Sequence, residues 1–151
     1  MIKALRQFIE KQQHDKNAPA SEDQLKLASA ALLVDMMYQD DQVLDEEIAA
    51  VKKAIQQSFS LNRQDTEALF DQAVDKAQTA TDYHEFTAVI ARNYTLEQKI
   101  NVIEYLWTVA YADQEIDVHE EHMVRRIAEL IYVPHSEFIK AKHRVIQQSN
   151  E

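Results

Sequence analysis

Leu25-Lys26-Leu27-Ala28-Ser29-Ala30-Ala31-Leu32-Leu33-Val34-Asp35-Met36-Met37 is the stretch on which the fold class turns. Its apolar residues occupy nearly every helical phase rather than one stripe. A helix apolar almost all round belongs at the centre of a domain, because no face of it suits water. A second stretch, Ile100-Asn101-Val102-Ile103-Glu104-Tyr105-Leu106-Trp107-Thr108-Val109-Ala110-Tyr111, has the same character. The two are predicted to form a core pair with amphipathic helices packed around them.

The rest of the composition agrees with an all-α, single-domain bundle. The 151 residues include no glycine and two prolines, Pro19 and Pro134. Tight hairpins depend on glycine, whereas helix interiors do not. Its absence also removes every Gly-rich phosphate loop. With no cysteine there is no disulfide, thiolate nucleophile or Cys-based metal site. Neither a signal peptide nor a membrane span is legible, so the expected location is the cytoplasm.

Working outward, period and cap signals predict eight helices. The first covers about Ile2 to Gln13, with Leu5, Phe8 and Ile9 on one stripe, and His14 to Ala20 reads as a linker. Residues 1–20 therefore stand apart from a helical domain over 21–151. Ser21 with Gln24 is a capping box for the helix reaching Gln39. The next runs from Asp45 to about Ser58, and Asn62 caps one reaching Thr79. Asp82 with Glu85, Thr95 with Gln98, and Asp117 with Glu120 read as boxes opening helices that end near Asn93, Ala112 and Tyr132. Pro134 suits the first turn of the last helix.

The formal charge of −10 disfavours nucleic acid and anionic membrane surfaces. Its placement is more telling. Asp40, Asp41, Asp45, Glu46 and Glu47 lie within one short window, and Asp113, Glu115, Asp117, Glu120 and Glu121 within another. Elsewhere acidic and basic residues balance. A shift of 73 places superposes these windows: residues 26–53 align with 99–126, with identities at Lys26/Lys99, Leu33/Leu106, Tyr38/Tyr111, Asp40/Asp113, Glu47/Glu120 and Val51/Val124. Each copy is a buried helix, Tyr-x-Asp, an acidic turn, an aliphatic residue, a Glu and a basic pair. The pseudo-repeats span about 25–58 and 98–131, a helix–acidic loop–helix motif with an expected pseudo-two-fold relation.

Tyr38-Gln39-Asp40-Asp41-Gln42-Val43-Leu44-Asp45-Glu46-Glu47 and Tyr111-Ala112-Asp113-Gln114-Glu115-Ile116-Asp117-Val118-His119-Glu120 resemble the acidic motif of the tellurite-resistance TerB-like family. Similar domains occur at the N-terminus of some DnaJ-like co-chaperones. The resemblance implies a bundle of seven to nine helices, a role in tellurite or general chemical stress, and metal binding by the acidic face. It also implies membrane-associated or stress-protein partners and no established enzymatic activity. The family's glycine is replaced by Asp41 and Gln114. If that position needs a left-handed backbone, a side chain there costs ~1 kcal/mol.

Crowded carboxylates can be solvated, can cap helices, or can hold a cation. Asp45, Glu46 and Glu47 sit in a first turn where the helix dipole favours negative charge, and Asp40 and Asp113 can bond their own loops. The alternative is a hard divalent cation, Ca²⁺ or Mg²⁺, on carboxylate oxygens. The candidate ligands are Asp40, Glu47, Asp113, Asp117 and Glu120. Asp41, Asp45, Glu46, Glu115 and Glu121 are candidates for contact with a protein partner. Neither loop is an EF-hand: Val118 stands at the glycine position of the second, and Val51 and Val124 where the bidentate glutamate belongs.

His119-Glu120-Glu121-His122 has its histidines three apart rather than the four of the zinc-protease motif, and it reads as a solvated acidic first turn. No nucleophile has a recognisable base, so the chain is not expected to be an enzyme. Asp35 and Glu104, within the apolar helices, are expected to reach solvent or a basic partner. Trp107, Tyr38, Tyr105 and Tyr111 are expected in the core. Two function classes follow: a stress-response protein whose acidic loops bind a cation, a partner or both, and a metal-free, co-chaperone-like interaction module.

Overall fold

The computed structural model describes residues 20–39 and 42–150. The helix predicted over 2–13, most of its linker, and Asp40 and Asp41 lie outside the described residues. Those described form seven α-helices and no strand: α1 (Glu22–Met37), α2 (Asp45–Phe59), α3 (Arg63–Thr79), α4 (His84–Asn93), α5 (Leu96–Ala110), α6 (Val118–Leu130) and α7 (His135–Ser149).

The two stretches apolar all round become α1 and α5, and they pack on each other. From Ala28 to Met37 every α1 residue except Asp35 is buried. In α5, Val102, Ile103, Leu106, Trp107, Val109 and Ala110 are buried. Around them, α2, α3 and α4 lie against α1, while α2, α6 and α7 lie against α5. α4 also touches α6, and α6 touches α7, closing one continuous hydrophobic core. Trp107 anchors α7: its Nε1–H donates to the Phe138 carbonyl at 3.2 Å, and the two rings lie 5.1 Å apart. Tyr105 and Tyr111 are half-buried against the core, but Tyr38 is exposed, a correction to its expected burial. It is the C-cap residue of α1, past the last turn that faces the core.

Three of the four boxes read from the sequence are formed. Ser21 and Gln24, Thr95 and Gln98, and Asp117 and Glu120 cap reciprocally, and the Asn62 side chain accepts from Asp65 N–H at 2.7 Å. The pair Asp82 and Glu85 is not a box. Asp82 instead accepts the His84 N–H at 2.8 Å, Tyr83 becomes the N-cap, and Glu85 turns to Lys76 at 3.7 Å. Tyr83 rather than Asp82 thus stands before the first helical residue, and the helix opens one residue later than expected. Pro134, too, stands at the N-cap rather than inside the first turn.

A chain without glycine still needs left-handed residues. They fall at Ser60 (φ 53°), Gln114 (φ 69°) and Tyr132 (φ 65°). Tyr132 ends α6 in a Schellman arrangement, with Val133 N–H on the Ala128 carbonyl at 2.8 Å and Tyr132 N–H on Glu129 at 3.2 Å. Gln114 occupies the position of the family's glycine, and its N–H closes a turn onto Tyr111 at 2.9 Å.

Candidate functional site: a carboxylate corner at two loop–helix junctions

The two acidic windows contain carboxylates of two kinds. Glu47 and Glu120 are buried, at 4 % and 5 % exposure, whereas Asp45, Glu46, Asp113, Glu115 and Asp117 are exposed. The cause is helical phase. Glu47 precedes Val51, Ala54 and Ile55 on the buried stripe of α2, and Glu120 precedes Met123, Val124, Ile127 and Ala128 on that of α6. Each is the third residue of its helix and turns back to the N-cap. Glu47 Oε1 accepts from Leu44 N–H at 3.1 Å, and Glu120 Oε1 from Asp117 N–H at 3.2 Å. Leu44 has no acceptor to return the bond, so only half a box exists at α2; at α6, Asp117 Oδ1 takes the His119 N–H at 2.6 Å.

The two buried carboxylates also sense each other. Glu120 is pushed up from 4.5 to about 7: burial is the main cause, the Asp117 N–H opposes it, and the charges of Glu47, Asp113 and Asp117 add to it. The two windows, 73 residues apart in sequence, thus meet electrostatically at one corner. Asp113 accepts the Glu115 N–H at 3.0 Å, holding the second loop in shape. Glu121 is turned inward to the fold, paired with Lys142 of α7 at 3.1 Å and Arg125 at 3.8 Å. Asp45, Glu46 and Glu115 have no ion pair among the described residues, and Val118, three residues after Glu115, is 79 % exposed. Asp40 and Asp41, expected to contribute a ligand and a partner contact, lie outside the described residues.

Oxygen-only donors at a partly enclosed corner suit a hard cation, which prefers carboxylates and retains water readily. Among the described residues no three His, Asp or Glu side chains gather in a ligand set. A cation here would therefore rest on the Glu47 and Glu120 carboxylates, with solvent or residues outside the described set completing its shell. His119 and His122 are exposed and join no ligand group.

Two features were hidden from sequence reading: the burial of Glu47 and Glu120, and the pairing of Glu121 with α7. The first had a signal, since a Glu at i with apolar residues at i+4, i+7 and i+8 lies on the inward stripe. The second had none. As for the carboxylates in the core helices, Glu104 finds the guanidinium of Arg144. Asp35 is half-buried without an ion pair among the described residues, and burial pushes it up to about 6.

Fold and corner together define an all-helical domain with acidic residues concentrated at two loop–helix junctions. The sequence pattern of the family described as tellurite resistance protein TerB matches residues 26–143, and the chain belongs to that family. No curated protein and no solved structure matches it. No helix among the described residues is long and apolar enough to cross a membrane.

Proposed function

We propose that this TerB-family chain acts in the stress response associated with tellurite resistance as a non-enzymatic cytoplasmic protein, and that its acidic corner binds a divalent cation, Ca²⁺ or Mg²⁺. The observation carrying this reading is the burial of Glu47 and Glu120 at the starts of two helices, with the charge of Glu47 adding to the burial that raises Glu120 to about 7. Like charges held together in a desolvated place are relieved by a proton or by a cation. Of the five ligands expected from the sequence, Glu47 and Glu120 are the ones proposed among the described residues, with Asp40, outside them, as a third; Asp113 and Asp117 join no ligand group and accept backbone N–H groups of their own loops.

Thermal unfolding with and without Ca²⁺, Mg²⁺ or Mn²⁺ tests it. A cation bound only by the native state raises stability by mass action, by about 2.7 kcal/mol at a hundred times its dissociation constant. The rise should be larger at pH 8 than at pH 5.5, where protons compete, and should be lost in Glu120→Gln. An unchanged melting temperature with all three ions at millimolar concentration sinks the cation reading.

The second reading is a metal-free acidic module that docks a protein partner, associated with a membrane or with stress. It is favoured by Asp45, Glu46 and Glu115, exposed and without an ion pair among the described residues, and by the exposed Val118 in the second window. Such docking weakens with salt. Retention of a partner that falls with ionic strength, and is lost in Glu46→Gln/Glu115→Gln, supports it; retention indifferent to both rejects it.

A further inference from the structure

A groove of about 640 Å³ runs along α5, lined by Ala49 and Lys53 of α2, Val145 of α7, and Asn101, Tyr105 and Thr108 of α5 itself. Past Asn101 it continues into a narrower part of about 450 Å³ beside Gln98 and Val102. One strip of α5, from Gln98 to Thr108, is thus left uncovered.

The matching strip of α1 is covered. The shift of 73 places matches Ala28, Ser29, Leu32 and Asp35 with Asn101, Val102, Tyr105 and Thr108. Ala28 and Leu32 are buried, whereas Asn101 is exposed and Tyr105 half-buried. Against α1 lies α4. Tyr94, just past the end of α4, meets Ser29 hydroxyl to hydroxyl at 3.0 Å. Tyr83, just before its start, has its phenol raised mainly by burial, with the charge of Asp35 among the smaller causes. α4 therefore runs from the Asp35 end of α1 to the Ser29 end. Over α5, between Thr108 and Val102, the described residues leave the groove.

We propose that this groove takes a short amphipathic helix of a protein partner, led by basic residues and seated on α5 as α4 is seated on α1. The proposal rests on the partner-docking reading above and adds the place and the ligand. Charge supports it. Beyond Thr108 the groove reaches Glu46 and Gln114, and Gln114 stands between Asp113 and Glu115 in the sequence. A helix seated like α4 has its N-terminus at this acidic end, where the positive end of its dipole and basic residues before it are attracted. An extended segment fits less well. The lining elements are helices whose backbone groups are bonded within themselves, so they offer no ladder to an extended chain, whereas a helix arrives with its own groups satisfied. α4, ten residues and so about 15 Å long, gives the expected length.

The probe is a stapled, N-acetylated helix with leucines on one face and three lysines before its first turn. It is compared with the same helix led by three glutamates, each titrated into the full-length, isotopically labelled chain. The lysine-led helix should shift the amides of Ala49, Asn101, Tyr105 and Thr108 while sparing Ala88 on α4. It should bind at least tenfold more tightly than the glutamate-led one and weaken as salt rises. Ala49→Gln/Thr108→Gln fills the groove at two exposed positions without altering charge. It should weaken binding at least tenfold and leave the rest of the spectrum in place. No shift at millimolar peptide, or groove shifts equal for both helices, overturns the proposal. Shifts confined to residues 42–46 and 113–118 overturn it as well, while leaving docking at the acidic loops standing. Groove amides that move on dilution of the chain alone mean that a second copy fills the groove, and likewise overturn it.

Discussion

At Gln114 and Tyr132 the backbone takes a conformation that suits glycine, and the chain supplies a long polar and a large aromatic side chain instead. A side chain in the left-handed region costs roughly 1 kcal/mol. Gln114→Gly should therefore raise stability by up to about 1 kcal/mol in chemical denaturation, whereas Gln114→Val should lower it. Tyr132→Gly should gain less, since Lys99 lies 5.9 Å from that ring and the contact would be lost. Glu120 yields a prediction with a definite sign. Between 4.5 and about 7 the folded state holds a proton on this carboxyl that the unfolded chain has released. Without divalent cations its contribution to stability is then lost as pH rises through that window. Glu120→Gln keeps the acceptor for Asp117 N–H, so it should be more stable than the parent at pH 8 and indistinguishable from it at pH 4, by urea melts at each pH.

Helices were more legible than the places where they meet. Ser21, Asn62, Thr95 and Asp117 announced their helix starts because a cap is a local bond between a short polar side chain and a donor two or three residues on. Asp82 misled for the same reason: two donors lay within its reach, and the nearer one prevailed. Thr95→Ala should cost about 1 kcal/mol by unfolding at neutral pH, and Thr95→Ser should recover most of it. Ion pairs between elements, such as Glu121 with Lys142, were not legible. They depend on which faces of α6 and α7 turn toward each other, and that is set by packing.

For the whole molecule, the apolar phase of α1 and α5 was enough to name the core pair, since only burial on all sides suits such helices. The meeting of the two acidic windows was not legible, because it depends on how α2 and α6 are held against α5. With one core shared by all seven helices, Leu32→Ala, at a fully buried position of α1, should cost 2–5 kcal/mol. Val118→Ser at the exposed corner should stay within about 0.5 kcal/mol. Calorimetry should show a single transition for both variants. Trp107 is the only indole in the chain and is fully enclosed, with its N–H committed to a carbonyl of the last helix. Its fluorescence should accordingly be blue-shifted in the native state, and detachment of that helix alone would redden it while the remaining helicity, read by circular dichroism, stays nearly constant. The protein thus carries an intrinsic optical gauge that separates loosening of its C-terminal end from collapse of the bundle.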